Sequence, residues 1–182
     1  GSTAIAGYSA GMRIESLSIV PMLAMGNAMS TFTAQNMGAG KIDRVKEGYR
    51  MCDVIVLTAG AVLCVMYQLA GGAFVSLFLD SGSSEAYSVG LSYVKFLSFF
   101  YSFIGLKAST DGLLRGAGDV TAFTVANLVN LAIRVSVTNL FAPIYGIQVA
   151  WMAVPLGWAA NYVISFGWYL TGKWKKVRVI KK

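Results

Sequence analysis

The stretch TAQNMGAGKIDRVKEGYR, Thr33 to Arg50, decides how this chain is read. It is short, polar and basic, and it lies between long apolar runs. A phosphate-binding loop, a nucleic-acid patch and a hinge between membrane helices are the competing identities. The first fails on spacing, because a phosphate loop needs a glycine five residues before its last glycine and Ser or Thr after its lysine. Gln35 and Ile42 stand at those places. The hinge reading uses every residue: Gly38 and Gly40 accept the left-handed angles that end a helix, and Asp43 is placed to cap a short basic helix reaching Tyr49.

The flanks identify the medium. The chain is 56% hydrophobic and 13% charged, against about a quarter charged for a soluble domain. Three runs carry no charge: Ser16 to Gly40, Val54 to Leu79 and Val135 to Gly172, of 25, 26 and 38 residues. About 20 apolar residues cross a bilayer as a helix, so the longest run must fold back, and Pro143 to Gly146 marks the turn. The pattern predicts an all-α polytopic bundle of about five spanning helices, near 12–35, 51–79, 88–111, 120–142 and 147–171, in a single lobe 1–182. The opening GSTAIAGYSAG has no initiator methionine and reads as a loop at the start of a fragment.

Basic residues gather in alternate connections. Lys41, Arg44, Lys46 and Arg50 fall in the first, Arg115 in the third, and six bases follow from Lys173, whereas 80–87 has none and 143–146 has no charge. The positive-inside bias predicts a multi-pass protein of the cell membrane with 41–50, 112–119 and a basic tail, 173–182, in the cytoplasm. The tail, beside Trp168 and Tyr169, reads as an anchor to membrane lipid. The net charge of +7 is therefore topology, and no nucleic-acid partner is expected. Histidine is absent, and Cys52 and Cys64 share one apolar stretch without a second pair. No metal site, disulfide, cofactor or catalytic group is expected.

A second glycine loop, RGAGDVTAF, has Gly116 and Gly118 to end the third helix and Asp119 to cap the fourth. With it the chain resembles a known family. RIESLSIVPMLAMGNAMSTFTAQNMGAGKIDRVKEG, then LLRGAGDVTAF, NLAIR and VAWMAVPLGW, resemble the C-terminal half of a multidrug and toxic compound extrusion (MATE) transporter, helices eight to twelve of twelve. Pro21, Gln35, Asn36, Gly38, Gly40, Arg115, Gly116, Gly118 and Pro155 carry the likeness. It implies a proton- or sodium-coupled antiporter that exports cationic or amphipathic drugs by alternating access, with a missing N-terminal lobe as its partner. A flippase for lipid-linked precursors is the alternative within the same broader group. An intramembrane enzyme would need a histidine, an intramembrane Ser-Lys pair or a deep pair of acids, and Lys107 and Ser109 are expected to lie too near the interface, and too adjacent on the helix, for such a dyad.

Ionisable groups deep in a bilayer are costly and mark function. Arg134 is the deepest by helix count, and Asn127, Asn130, Arg134 and Thr138 share one helical face. That stripe is either a cavity wall or a packing seam. Asn27 follows Pro21, and Ser98, Tyr101 and Ser102 make a hydroxyl-bearing face; these residues, with Asn127, Asn130 and Arg134, are the expected substrate path. Lys95 and Lys107 are expected to snorkel to opposite interfaces. Asp53, Asp111 and Glu15 read as interfacial, with Asp111 paired to Arg115, four residues on. With no deep acid expected, and Ile104 near the place of an acid known in one branch of the family, the resemblance implies coupling in the other lobe.

Overall fold

A computed structural model describes residues 2–80, 84–146 and 148–176. The chain is helical almost throughout: α1 (Ser2–Gly38), α2 (Ile42–Val75), α3 (Ser84–Ser98), α4 (Tyr101–Gly116), α5 (Val120–Tyr145) and α6 (Gln148–Leu170), then a 3₁₀ turn, Lys173–Lys176. Four of these helices are long and apolar enough to cross a membrane, and α3 with α4, bent by 52°, are together long and apolar enough to make a fifth if the pair forms one span. The end of the basic tail, from 177, lies outside the described residues.

Both glycine loops close with one pattern of bonds. In the first, the N–H groups of Ala39, Gly40 and Lys41 donate to the carbonyls of Gln35, Met37 and Asn36; in the second, those of Ala117, Gly118 and Asp119 donate to Leu113, Arg115 and Leu114. The six-to-one bond that ends each set needs a left-handed residue, and Gly40 (φ 68°) and Gly118 (φ 82°) supply it. Gly38 and Gly116 are instead the last helical residues. Gly118→Ala is therefore expected to cost about 1–2 kcal/mol, whereas Gly38→Ala, in open space, is expected to be neutral or slightly stabilising. Thermal melting of the two variants in the full-length protein checks this, and equal shifts would refute the conformational account.

Three boundaries differ from the reading of the sequence. Residues from Ser2 onward are helix rather than loop, because Gly7 and Gly90 let α1 and α3 touch backbone to backbone: a Cβ on Gly7 would stand 2.3 Å from the Ala86 carbonyl oxygen. Asp43 caps nothing; α2 begins at Ile42 without a side-chain cap, and Asp43 pairs with Lys46 at 2.6 Å. The turn expected at Pro143 comes later. Pro143 stays within α5, which ends at Gly146 with φ 81°. Asp119 does cap α5, its Oδ1 accepting from Ala122 N, while its Oδ2 accepts from Trp168 Nε1 at 2.7 Å.

The expected straight crossing 88–111 is broken at Phe99 and Phe100. The Lys95 carbonyl at the break accepts from Ser98 Oγ at 2.7 Å and from Gln68 Nε2 of α2 at 2.9 Å, and Gln68 also reaches Ser98 Oγ at 3.0 Å. A neighbouring side chain thus takes up the polar group that the break frees, the condition for irregular backbone at membrane depth. Tyr101 opens α4, fully buried. α4 is the central helix: it packs on α1, α2, α5 and α6, with Leu113 and Leu114 wholly inside. Leu57, Val62, Val65 and Leu69 of α2 and Leu128, Leu131 and Val135 of α5 point outward, as a lipid-facing surface requires.

Candidate functional site

On α4, Lys107, Asp111 and Arg115 recur every four residues and so share a face. That face looks into a cleft of about 290 Å³, walled by Leu23, Gly26 and Asn27 of α1 and by Phe123 and Asn127 of α5. Gly112 belongs to the floor. Asp111 sits five residues, about 8 Å of helix, from the α4 end that carries the second glycine loop.

The centre of the cleft is an ion pair. Lys107 Nζ donates to Asp111 Oδ2 at 2.9 Å, and the two side chains are only 14% and 7% exposed. Asn127 closes a triangle: its Oδ1 accepts from Lys107 at 3.1 Å, and its Nδ2 donates to Asp111 Oδ2 at 3.2 Å. The other carboxylate oxygen accepts from Ser165 Oγ of α6 at 2.7 Å. Asn161, one turn earlier on α6, is wholly buried beside Ser165. Both oxygens of Asp111 are thus bonded, whereas Asn161 Nδ2 is buried without a partner. Such a network rigidifies its helices when complete and is costly when one member leaves.

Two expectations are corrected here. Lys107 does not snorkel to the interface, and Asp111 pairs with it rather than with Arg115. Arg115 turns instead to α1, where its guanidinium donates to Asn27 Oδ1 at 2.7 Å and to Ser30 Oγ at 3.4 Å, and it lies 5.7 Å from the centre of the Phe123 ring. With Arg115 drawn away, Lys107 is the cation left to face Asp111.

The other residues singled out in the sequence fall in separate places. Asn27 and Asn127 meet in the cleft. Asn130 and Arg134 lie against Gly157 of α6, where a Cβ would stand 2.2 Å from Asn130 Oδ1 and 2.9 Å from Arg134 Cγ; Arg134 itself is exposed. Ser98 is part of the helix break, Tyr101 packs on Tyr67, and Ser102 lies against Gly60 of α2. None of these three lines the cleft. Asn36 is buried, its Nδ2 bonded to the Phe32 carbonyl at 2.7 Å, and Gln35 is exposed. Pro21 is exposed on α1 and Pro155 is buried on α6, each within an unbroken helix.

A second acid lies beneath the surface. Glu15, half-buried on α1, accepts from Tyr93 Oη of α3, whose ring packs edge-on against Tyr8 and Trp151. Arg134 is within electrostatic reach of Glu15. Asp111 and Glu15 are thus held by partners between helices rather than standing as ordinary surface charges. The spacing Asn161–Ser165, two polar residues one turn apart in an otherwise apolar helix, is the signal in the sequence that would have pointed to the α6 side of the network.

A family model described as MatE matches residues 1–153. The chain is 28% identical over 180 residues to the probable multidrug resistance protein YpnP of Bacillus subtilis (strain 168), covering 98% of this chain and 40% of that protein. It is 22% identical over 191 residues to the probable multidrug resistance protein NorM of Thermotoga maritima, covering 39% of it. Its fold is similar to a solved inward-facing conformation of a multidrug resistance MATE family transporter of the MOP superfamily, with a TM-score of 0.81 at 19% identity over 98% of this chain and 44% of that one. The chain spans about 40% of the length of these curated relatives.

Proposed function

The chain belongs to the MatE family, and we propose that it is the C-terminal lobe of a cation-coupled antiporter exporting cationic or amphipathic drugs by alternating access. The family is one of membrane transporters rather than enzymes, and this chain is a multi-pass membrane protein. The observation that carries the reading is the Lys107–Asp111–Asn127 triangle, an ionised pair bordering a cleft within an apolar bundle. Charges at such depth are retained where they mark an ion or substrate path. The missing N-terminal lobe supplies the opposite wall, lipid surrounds both, protons or sodium ions drive the exchange, and the tail lies in the cytoplasm of a cell-membrane protein. Asn27 and Asn127 touch the substrate in this reading, and Arg134 and Asn130 stand farther along the path with Ser98, Tyr101 and Ser102 behind its wall.

The test is ethidium export by the full-length transporter in efflux-deficient cells, with the proton and sodium gradients collapsed separately. Export is expected to stop with one of them, and Arg134→Ala is expected to slow it severalfold. Export that persists without either gradient would refute coupling. A lipid-precursor flippase is the second reading, and one observation favours it: Lys107 and Arg115 both line the cleft against a single carboxylate. That excess of positive charge suits an anionic headgroup. Absent drug export, together with accumulation of lipid-linked precursors when the transporter is depleted, would select it.

A further inference from the structure

Beyond the cleft, the opposite side of α4 meets α2 and α6 around a third acid, Asp53. Its Oδ1 is buried and has no hydrogen-bond partner. The hydroxyls of Ser109 and Tyr49 lie beside this carboxylate. Ser109 is wholly buried and its Oγ is likewise without a partner. The ion pairs among the described residues do not include Asp53.

The direction of the neighbouring hydrogen bonds fixes what this cluster offers. Thr110 Oγ1 donates its one proton to the Leu106 carbonyl at 2.8 Å, so in its 2.8 Å contact with Tyr49 Oη the threonine oxygen accepts. The Tyr49 proton is thereby committed to Thr110, so of the two hydroxyls beside Asp53 only that of Ser109 has a proton left to offer it. A carboxylate and a phenol oxygen that both present lone pairs, with a buried hydroxyl next to them, form an acceptor-rich pocket. Such a pocket is costly unless something positive is shared among its oxygens.

We propose that Asp53, Ser109 and Tyr49 form a binding site for a monovalent cation, Na⁺ or a proton. The donor set is oxygen only, which suits a hard cation. One carboxylate balances one positive charge, whereas a divalent ion would leave net charge inside an apolar bundle. Among the described residues, the titratable groups in electrostatic contact with Asp53 include Tyr49 and Cys52 on α2 and Tyr162 and Tyr169 on α6; on α4 the Asp111 carboxylate is bonded to Lys107 and Ser165, and on α1 the Met25 carbonyl lies next to Cys52. Arg50, three residues before Asp53 on α2, and Lys46 act electrostatically on the same Tyr169 as Asp53 does, but neither makes an ion pair with Asp53. Phenols are ordinarily neutral below about pH 9, so Asp53 is the charge that the site balances. The two sides of α4 then join the proposed cation site to the cleft through successive residues, Ser109, Thr110 and Asp111. Only the role of the site in coupling rests on the transport reading; binding itself does not.

The test uses the purified full-length transporter, with radioactive sodium binding and thermal melting in sodium against choline, at about pH 8 and about pH 5.5. In the sodium case the wild type binds the isotope and melts higher in sodium, and Asp53→Asn and Ser109→Ala bind at least about tenfold more weakly. In the proton case acidification raises the melting temperature of the wild type, while Asp53→Asn, whose amide imitates the protonated acid, loses that response. Sodium and pH responses that are the same in wild type, Asp53→Asn and Ser109→Ala would overturn the site, as would the absence of both in the wild type. Ser109→Ala leaves the acid in place and serves if Asp53→Asn folds poorly. Gradient-independent drug export with intact binding would sink the coupling reading and leave the site standing.

Discussion

Asp111→Ala is expected to abolish drug export by the full-length transporter and to lower its stability by about 3–5 kcal/mol, the cost of leaving one charge of a buried pair uncompensated. Lys107 would keep only the Asn127 amide oxygen as an acceptor, inside a site where its side chain is 14% exposed. Ser165 and Asn127 would each lose an acceptor as well. The double variant Lys107→Met/Asp111→Leu separates structure from function, because replacing both charges with apolar side chains of similar volume is often neutral or stabilising. It is expected to recover most of the melting temperature and none of the export. Export restored along with stability would show that the pair serves only to join α4, α5 and α6.

The contrast between what the sequence disclosed and what it hid follows from the range of the interactions. Span count, the two glycine loops and the Asp119 cap depend on residues a few positions apart, and they were legible from charge-free runs and turn chemistry. The break at Phe99 was not, since it is held by Gln68 on another helix, 27 residues away from the Lys95 carbonyl it satisfies. That one error spread. A straight helix over 88–111 puts Lys107 within reach of an interface, whereas in the structure a 52° bend precedes α4 and Lys107 is shielded beside Asp111 and Asn127. The partner of Asp111 was undecidable locally, because Lys107 and Arg115 stand four residues to either side of it. Asn27 and Ser30, on α1, settle the choice by holding Arg115. The family was readable because motif order survives where depth cannot be counted. Which of its polar residues share a cleft is a property of the packing of three helices.

The second large effect is expected from the smallest substitution. Gly112→Ala should destabilise the full-length transporter by about 1–3 kcal/mol, and Gly112→Val by more, even though alanine is the better helix former by about 1 kcal/mol. The reason is the seam between α1 and α4. Ala108, Gly112 and Gly116 follow one another at intervals of four on α4, opposite Gly26 and Ser30 of α1, the small-residue spacing that lets membrane helices approach closely. A Cβ on Gly112 would stand 2.2 Å from the Gly26 carbonyl oxygen, one on Gly26 would stand 2.6 Å from the Ala108 oxygen, and one on Gly116 would stand 2.2 Å from the Ser30 oxygen. These obstacles are backbone atoms, which cannot rotate aside, so the helices must separate. Separation would also draw Asn27 off Arg115 and widen the cleft, so export should fall together with the melting temperature. Gly38→Ala, on the same α1 but with nothing within 4 Å, is the control: a Gly112→Ala protein that melts with it would show that α1 and α4 can part at no cost, and the close seam would then not be what holds the lobe together.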